Sequence, residues 1–255
     1  MSQKPLILVT NDDGVFAPGI KHLSRIAKQY GDVVVVAPDK PQSGMGHAIT
    51  INSTLRLEKT HYHETDIELA CNGTPVDCVK MAVNNILKKR PDLVLSGINH
   101  GSNSSINVIY SGTMSAAIEG ALEGSPSIGF SLCDYAMEAD FTQATDFIKQ
   151  LIEFALANRM PKGVCYNVNI PKLRKDDLKG LKFVRQSRAN WVEKFEERKD
   201  PYGRSYYWLT GEFVNFEPEA TDTDEWALAN GYISVVPTQV DLTAHDYLNS
   251  IKNTF

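Results

Sequence analysis

The chain has 255 residues, an ordinary globular composition with 42% hydrophobic residues, and a formal net charge of −5. This negative charge, without a block rich in Lys or Arg, argues against a nucleic-acid polymer or an anionic membrane as a partner. A small phosphorylated ligand held by a local site stays compatible with it. No apolar run reaches the length of a membrane span and the N-terminal residues do not resemble a signal peptide, so we expect a cytoplasmic protein.

The first predicted strand ends in two adjacent acidic residues. Residues 6–14 read LILVTNDDG, in which four apolar residues lead through Thr10 to Asn11, Asp12 and Asp13. Such an apolar run is typical of a strand buried on both faces of a parallel sheet. A bound cation would offset the repulsion between the two carboxylates, and a solvated Asp-Gly turn is the alternative. Apolar residues recur at helical spacing over 17–30. This favours a strand followed by an acidic loop and a helix, and it disfavours a β-hairpin.

Two further predicted strands end in polar loops that contain glycine. Residues 32–37 (DVVVVA) lead into PDKPQSGMG, which holds Ser43 and Gly44, and residues 92–95 (DLVL) lead into SGINHGSN, which holds Asn99 and His100. Ligands of open parallel sheets bind just beyond the carboxyl ends of the strands. We therefore expect the three loops to form one pocket, with His100 on its rim to contact a phosphate or assist a proton transfer.

A helix start offers an anion site to the same pocket. Ser111, Gly112 and Thr113 open an apolar helix that stops near Gly124. Free backbone N–H groups, two hydroxyls and the positive end of the helix dipole favour a bound anion, and simple helix capping explains the fragment equally well.

The oxygen donors of these loops suit a hard cation. Asp12, Asp13, Ser43 and Asn99 offer two carboxylates, a hydroxyl and an amide carbonyl, which match Mg²⁺ or Mn²⁺ better than structural zinc. A cation beside an anion-binding helix start indicates metal-assisted phosphoryl chemistry, in which Asp12 or Asp13 also receives the proton of the attacking water.

The order of the predicted elements indicates the fold class. Strands alternate with helices up to about residue 171, which predicts a doubly wound, Rossmann-like α/β core with a mostly parallel sheet. Residues 164–170 are expected to border that sheet. Residues 172–255 are expected to form a C-terminal extension with a β-hairpin, in which short strands at 181–186, 206–210 and 233–237 are separated by charged, turn-rich stretches at 193–203 and 217–225.

The extension is rich in aromatic residues that would be unusual on the surface of a monomer. We expect these residues to pack across a subunit interface: Trp191, Phe195, Tyr202, Tyr206, Tyr207 and Trp208.

Five motifs in order, NDDG, PDKPQSG, GTPVDCV, SGINHGSN and YSGT, closely resemble those of the SurE family, the stationary-phase survival proteins that act as nucleoside-monophosphate phosphatases. The resemblance covers residues 6–132. It implies one divalent metal ion per subunit, Mg²⁺ or Mn²⁺, held by Asp12, Asp13, Ser43 and Asn99. It further implies that the phosphate site is lined by Asn11, Gly44, Ser111, Gly112 and Thr113.

The resemblance also implies hydrolysis of nucleoside 5′- and 3′-monophosphates, with short polyphosphate as a further substrate in some members, and a homodimer or homotetramer formed through exchanged C-terminal elements. One position departs from the family pattern. The family reads SGTVGAA where this chain has Ser115 in place of the glycine, and the added side chain would either crowd the phosphate site or face away from it.

Three rival interpretations involve different classes of protein. A haloacid-dehalogenase phosphatase needs a DxD pair, whereas the acids here are adjacent. A signalling receiver domain needs a phospho-accepting Asp at the end of a central strand, where this chain has Ser96, Gly97 and Asn99. A nucleotide-binding protein without turnover would use the same motif residues.

Overall fold

The computed structural model describes residues 4–136, 138–158 and 160–252. A nine-stranded sheet has the order β3-β4-β2-β1-β5-β6-β7-β11-β8, and a separate sheet pairs β10 with β9. The strands are β1 (Leu6–Thr10), β2 (Asp32–Pro38), β3 (Leu57–Lys59), β4 (Ile67–Cys71), β5 (Leu93–His100), β6 (Ser127–Leu132), β7 (Val164–Ile170), β8 (Leu181–Phe183), β9 (Ala189–Lys199), β10 (Ser205–Asn215) and β11 (Ile233–Gln239).

The helices of the described residues connect these strands. A π-helical segment, Ala82–Leu87, directly follows the α-helix Pro75–Met81. The α-helices are α1 (Pro18–Ala27), α2 (Pro75–Met81), α3 (Asn107–Tyr110), α4 (Gly112–Leu122), α5 (Thr145–Ala157), α6 (Asp224–Ala229) and α7 (His245–Ile251).

The order in which strands are added to the sheet reverses at β1. From β1 the chain runs to β2 and β4 on one side, returns to β5 on the other side of β1, and continues to β6 and β7. All the pairings between β4 and β7 in this order are parallel. The predicted doubly wound, mostly parallel sheet is confirmed, and its switch point lies between β1 and β5, where such sheets bind ligands.

Alternate residues of the central strands enter two hydrophobic cores. Ile7 and Val9 of β1 pack on the face covered by α1 and α5, whereas Leu8 packs on the face covered by α2 and α4. Because helices cover both faces, β1 has no polar alternation, which explains its continuous apolar run.

The C-terminal part of the chain enlarges this sheet. β11 pairs with β7 in antiparallel register and with β8 in parallel register. The expectation that residues 164–170 border the sheet is therefore wrong, because β11, a strand from far along the chain, covers the other side of β7. The division at residue 171 into a core and an extension stays a prediction.

The predicted C-terminal hairpin is confirmed as β9 and β10, paired over their full length. The assignment of residues 193–203 to a turn-rich stretch is wrong for 193–199, which belong to β9. Most of β9 is exposed, so charged side chains are interspersed with two aromatic ones and the apolar pattern of a buried strand is missing. No helix among the described residues is long and apolar enough to cross a membrane.

Candidate active site

The acidic loop lies at the switch point of the sheet. Asp12 and Asp13 follow β1 after one intervening residue, Asn11, and Asp12 is only 3% exposed. Oδ1 of Asp12 accepts a hydrogen bond from the Thr113 hydroxyl at the start of α4. Oδ2 of Asp13 accepts one from the backbone N–H of His100 at the end of β5, at 3.3 Å. Three of the predicted segments therefore meet at this loop.

Burial disfavours the ionised form of both carboxylates. Desolvation and then the neighbouring charge of Asp13 raise the pKa of Asp12 to about 6, against the opposing effect of hydrogen bonds from Thr113. Desolvation also raises the pKa of Asp13, although the His100 N–H and the His100 ring act in the opposite direction. A cation between these carboxylates would offset both causes. Its positive charge compensates for the hydration that burial removes, and it balances the two neighbouring negative charges.

Two asparagines beside the acidic loop use their amide nitrogens in hydrogen bonds within the fold. Asn11 is fully buried, and its amide nitrogen donates to Gly14 O at 2.9 Å. Its Oδ1 has no hydrogen-bond partner within the described residues. Asn99 donates its amide nitrogen to Gly101 O at 3.1 Å, which leaves its amide oxygen for a ligand. A buried acceptor without a donor costs free energy unless a ligand or water supplies one.

The start of α4 packs directly against Asp12. Ser111 is its N-cap, and the Ser111 hydroxyl accepts from the N–H of Met114 at 3.0 Å. A Cβ placed on Gly112 would lie 2.7 Å from Cβ and 2.9 Å from Oδ2 of Asp12, so only glycine allows this approach. The N-terminal end of α4 therefore points its partial positive charge at the acidic loop.

The loop after β2 closes the rim of the site through its backbone. Gln42 N donates to Asp12 O at 2.7 Å, and Gly46 N donates to Tyr110 O at 3.2 Å. Ser43 and Gly44 lie between these two bonds and are exposed, and Gly44 has a φ of +75°. The backbone bonds bring both residues to the rim, and a Cβ on Gly44 would have no atom within 4 Å.

Ser115 is bonded to the start of its own helix. It is buried, and its hydroxyl donates to Ser111 O at 2.6 Å, one turn back along α4. The side chain that replaces the family's glycine therefore bonds to its own helix.

Sequence reasoning missed a buried carboxylate that joins the rim to α4. Glu119 is 3% exposed, accepts from Lys80 Nζ at 2.5 Å, and lies 2.9 Å from His47 Nε2. Burial alone would raise its pKa, but hydrogen bonds from His47 and Lys80 outweigh burial and lower it. No local pattern in the sequence marks this group, because its three members come from the β2 loop, α2 and α4.

A second buried network, also missed, fixes the segment after β5. Asn103 N donates to Asn169 Oδ1 at 2.7 Å, and Asn167 Nδ2 donates to Asn103 O at 2.8 Å. Asp224 accepts from the backbone N–H groups of Ser105 at 2.7 Å and Ser187 at 2.9 Å. The C-terminal part of the chain thus helps to hold the segment that follows Asn99 and the end of β5.

Comparison with known proteins identifies the family. The profile described as "Survival protein SurE" matches residues 7–193. The chain belongs to the SurE family. A relative named 5′-nucleotidase SurE from Flavobacterium psychrophilum is 60% identical over 251 residues, with 98% of this chain and 97% of the relative covered. The protein of the same name from Flavobacterium johnsoniae is also 60% identical over 251 residues, with 98% and 96% covered.

A solved SurE structure supports the same fold. The crystal structure of the SurE protein from Aquifex aeolicus matches with a TM-score of 0.84 at 40% identity, covering 98% of this chain and 99% of that chain. The resemblance found in the five sequence motifs is confirmed at the level of family and fold.

The donor set of this SurE chain fits a hard divalent cation. No group of three or more His, Cys, Asp or Glu side chains is placed to hold a metal within the part of the chain that the structure describes. The predicted site is of another kind, because it joins two carboxylates with hydroxyl and amide oxygens. The raised pKa values of both carboxylates and the amide oxygen that Asn99 leaves for a ligand agree with that chemistry.

Proposed function

We propose that this chain hydrolyses nucleoside 5′- and 3′-monophosphates to nucleoside and phosphate, and that it requires one Mg²⁺ or Mn²⁺ ion per subunit. It would thus be a phosphoric monoester hydrolase, with short polyphosphate as a further candidate substrate. The names of its full-length relatives support the nucleotidase part of the proposal.

One observation carries the proposal. Two carboxylates that burial makes reluctant to ionise lie at the switch point, directly against the N-terminal end of α4. In the proposed site, a cation held by these carboxylates would lie next to an anion held by the helix start. Phosphate esters bound with a divalent cation need both.

The acidic and amide side chains of the site would bind the cation. Asp12 and Asp13 would hold the ion, with Ser43 and Asn99 as neutral oxygen ligands. When bound, the ion supplies positive charge that stabilises the phosphate oxygens and acidifies water. Either carboxylate would accept the proton of the attacking water.

The helix start would hold the phosphate. Suitable donors are the backbone N–H groups of Gly112 and Thr113 and the hydroxyl of Ser111. The Thr113 hydroxyl is not among them, because it already donates to Asp12. Asn11, Gly44 and His100 complete the proposed phosphate site.

Phosphate release from a panel of nucleotides tests the proposal. The protein is stripped with a chelator and then supplied with Mg²⁺, Mn²⁺ or no metal, and 5′- and 3′-monophosphates and short polyphosphate are compared. We expect release only with metal, and loss of release in Asp13→Ala. Asp176→Asn, an exposed acid elsewhere, is the matched control and should keep full activity.

The same experiment separates an enzyme from a nucleotide-binding protein. If a folded, metal-loaded protein binds nucleotides but releases no phosphate, the hydrolase proposal is wrong and binding without turnover replaces it.

We further propose that the chain forms a homodimer or homotetramer through its C-terminal region. Strand alternation and the register of the hairpin put five apolar side chains on one face of β9 and β10. An isolated two-stranded hairpin is marginally stable in water, and an apolar stripe of this kind favours a protein partner. The stripe consists of Trp191, Phe195, Tyr207, Leu209 and Phe213.

A further inference from the structure

A small cavity lies at the amino edge of the sheet, at the end of α4 opposite the candidate active site. Its volume is about 240 Å³. It is lined by Arg90, Ala121, Gly124, Ser125, Pro126, Met160, Pro161, Lys162 and Gly163. Ala121 follows Thr113 by eight residues in α4, so roughly 12 Å of helix separates this cavity from Thr113.

The charge of this cavity is positive, in a chain whose net charge is −5. Arg90 and Lys162 are its charged lining residues, and no acid among the described residues lines it. Neither cation forms an ion pair or a side-chain hydrogen bond with any residue that the structure describes. The guanidinium of Arg90 lies over Gly124, with Nη1 3.1 Å from the position that a Cβ there would occupy.

A buried hydroxyl without a partner belongs to the same lining. Ser125 is 3% exposed, and its Oγ forms no hydrogen bond within the described residues. Buried polar groups in proteins are normally satisfied. A serine hydroxyl moves between staggered rotamers, so it can turn toward a bound anion and donate to it.

The size of the cavity suits a small oxyanion. Pockets for drug-sized ligands begin at about 300 Å³, and 240 Å³ corresponds to roughly eight water molecules. Inorganic phosphate fits within this volume. The guanidinium of Arg90 matches the paired oxygens of phosphate, and the ammonium of Lys162 adds a point charge.

We infer that this cavity is a second anion site, which binds a small phosphate-type oxyanion at Arg90, Ser125 and Lys162. The site is independent of the proposed hydrolysis, because it shares no residue with the acidic loop or with the start of α4.

Titration of ¹⁵N-labelled, chelator-treated protein with inorganic phosphate at constant ionic strength tests the inference. The backbone amides of Gly124 and Gly163 and the Nε–H of Arg90 report on the cavity. We expect saturable shifts of these signals, at least tenfold weaker binding in Arg90→Gln/Lys162→Gln, and a change of less than twofold in Lys89→Gln, an exposed cation next to Arg90.

Repeating the titration in Thr113→Val separates the two phosphate sites. The shifts of Gly124 and Gly163 should persist there, even if binding at the start of α4 is lost. Shifts that do not saturate, that sodium chloride reproduces, or that survive in the double variant would overturn the inference. The double variant changes exposed side chains, and its circular dichroism spectrum confirms that it is folded.

Discussion

The Thr113 hydroxyl donates a hydrogen bond to Oδ1 of Asp12 across 101 residues of sequence, and this bond joins the N-terminal end of α4 to the acidic loop after β1. It also supplies a buried carboxylate with a donor where water is excluded. The first prediction follows from that pair.

Thr113→Val removes the donor and keeps the shape of the side chain. A hydrogen bond to a charged group contributes about 1.5–3 kcal/mol, so we expect phosphate release to fall about ten- to hundredfold. Thr113→Ser restores the hydroxyl and should recover most of the activity. Steady-state kinetics and calorimetric titration with Mn²⁺ measure both variants. Full activity in the valine variant would show that the bond is dispensable.

The second prediction concerns stability and pH. The pKa of Asp12 is about 6 in the folded chain and 3.8 as its ordinary value, so the folded state binds more protons between these pH values. Stability of the metal-free protein therefore falls as pH rises through this window, by at most about 3 kcal/mol from this residue. Asp12→Asn removes the charge, so we expect it to be more stable than the wild type at pH 8 and nearly equal at pH 4.

Urea unfolding of chelator-treated protein at the two pH values checks this difference, with Asp176→Asn as an exposed control. Mg²⁺ should stabilise the wild type and not Asp12→Asn. An asparagine variant that is less stable at pH 8 would contradict the assignment of an unfavourable buried charge.

The third prediction concerns the close approach of α4 to the acidic loop. Gly112→Ala would place its Cβ 2.7 Å from Cβ of Asp12, so either Asp12 or the helix start must move. We expect kcat/KM for nucleotide hydrolysis to fall at least tenfold, with a stability loss of about 1–3 kcal/mol. Leu122→Ala, at the exposed far end of the same helix, should leave the kinetics unchanged. Equal kinetics in the two variants would place the phosphate site elsewhere.

The fourth prediction concerns the buried carboxylate of Glu119. Its pKa is lowered in the folded chain, so its contribution to stability is present above its ordinary value of 4.5 and is lost as pH falls through the folded pKa. Glu119→Gln should lose about 1–2 kcal/mol at pH 7, because it weakens hydrogen bonds to two basic side chains. The loss should be smaller at pH 3 than at pH 7. Thermal unfolding against Glu219→Gln, an exposed control, measures it, and an equal loss at both pH values would exclude the charge as its cause.

The fifth prediction tests the apolar stripe of the hairpin. Phe195 is 69% exposed and Leu209 is 60% exposed, and the two are paired across β9 and β10. Leu209→Glu introduces a charge into the stripe, and we expect a smaller assembly by light scattering coupled to gel filtration. Lys194→Glu changes a charge on the opposite face and should leave the assembly intact. An unchanged mass in both variants would remove the hairpin from the interface.

The amino-acid sequence by itself determined the central part of this protein. The apolar run of residues 6–9 and the β-branched run of 33–36 are unambiguous, because helices on both faces of a parallel sheet leave no polar side to the strand. Acidic and glycine-containing loops after three such strands pointed to one edge of the sheet. Capping chemistry at Ser111 marked the start of α4.

Only the tertiary structure decided which distant groups meet. β11 pairs with β7, and Glu119 contacts His47 and Lys80, although the local sequence of each segment does not indicate its partner. The exposed strand β9 likewise lacks a local pattern that predicts a strand. The bond from Thr113 to Asp12 belongs to the same class. Local propensity and hydrophobic period are properties of neighbouring residues, whereas these contacts depend on the order in which strands join the sheet.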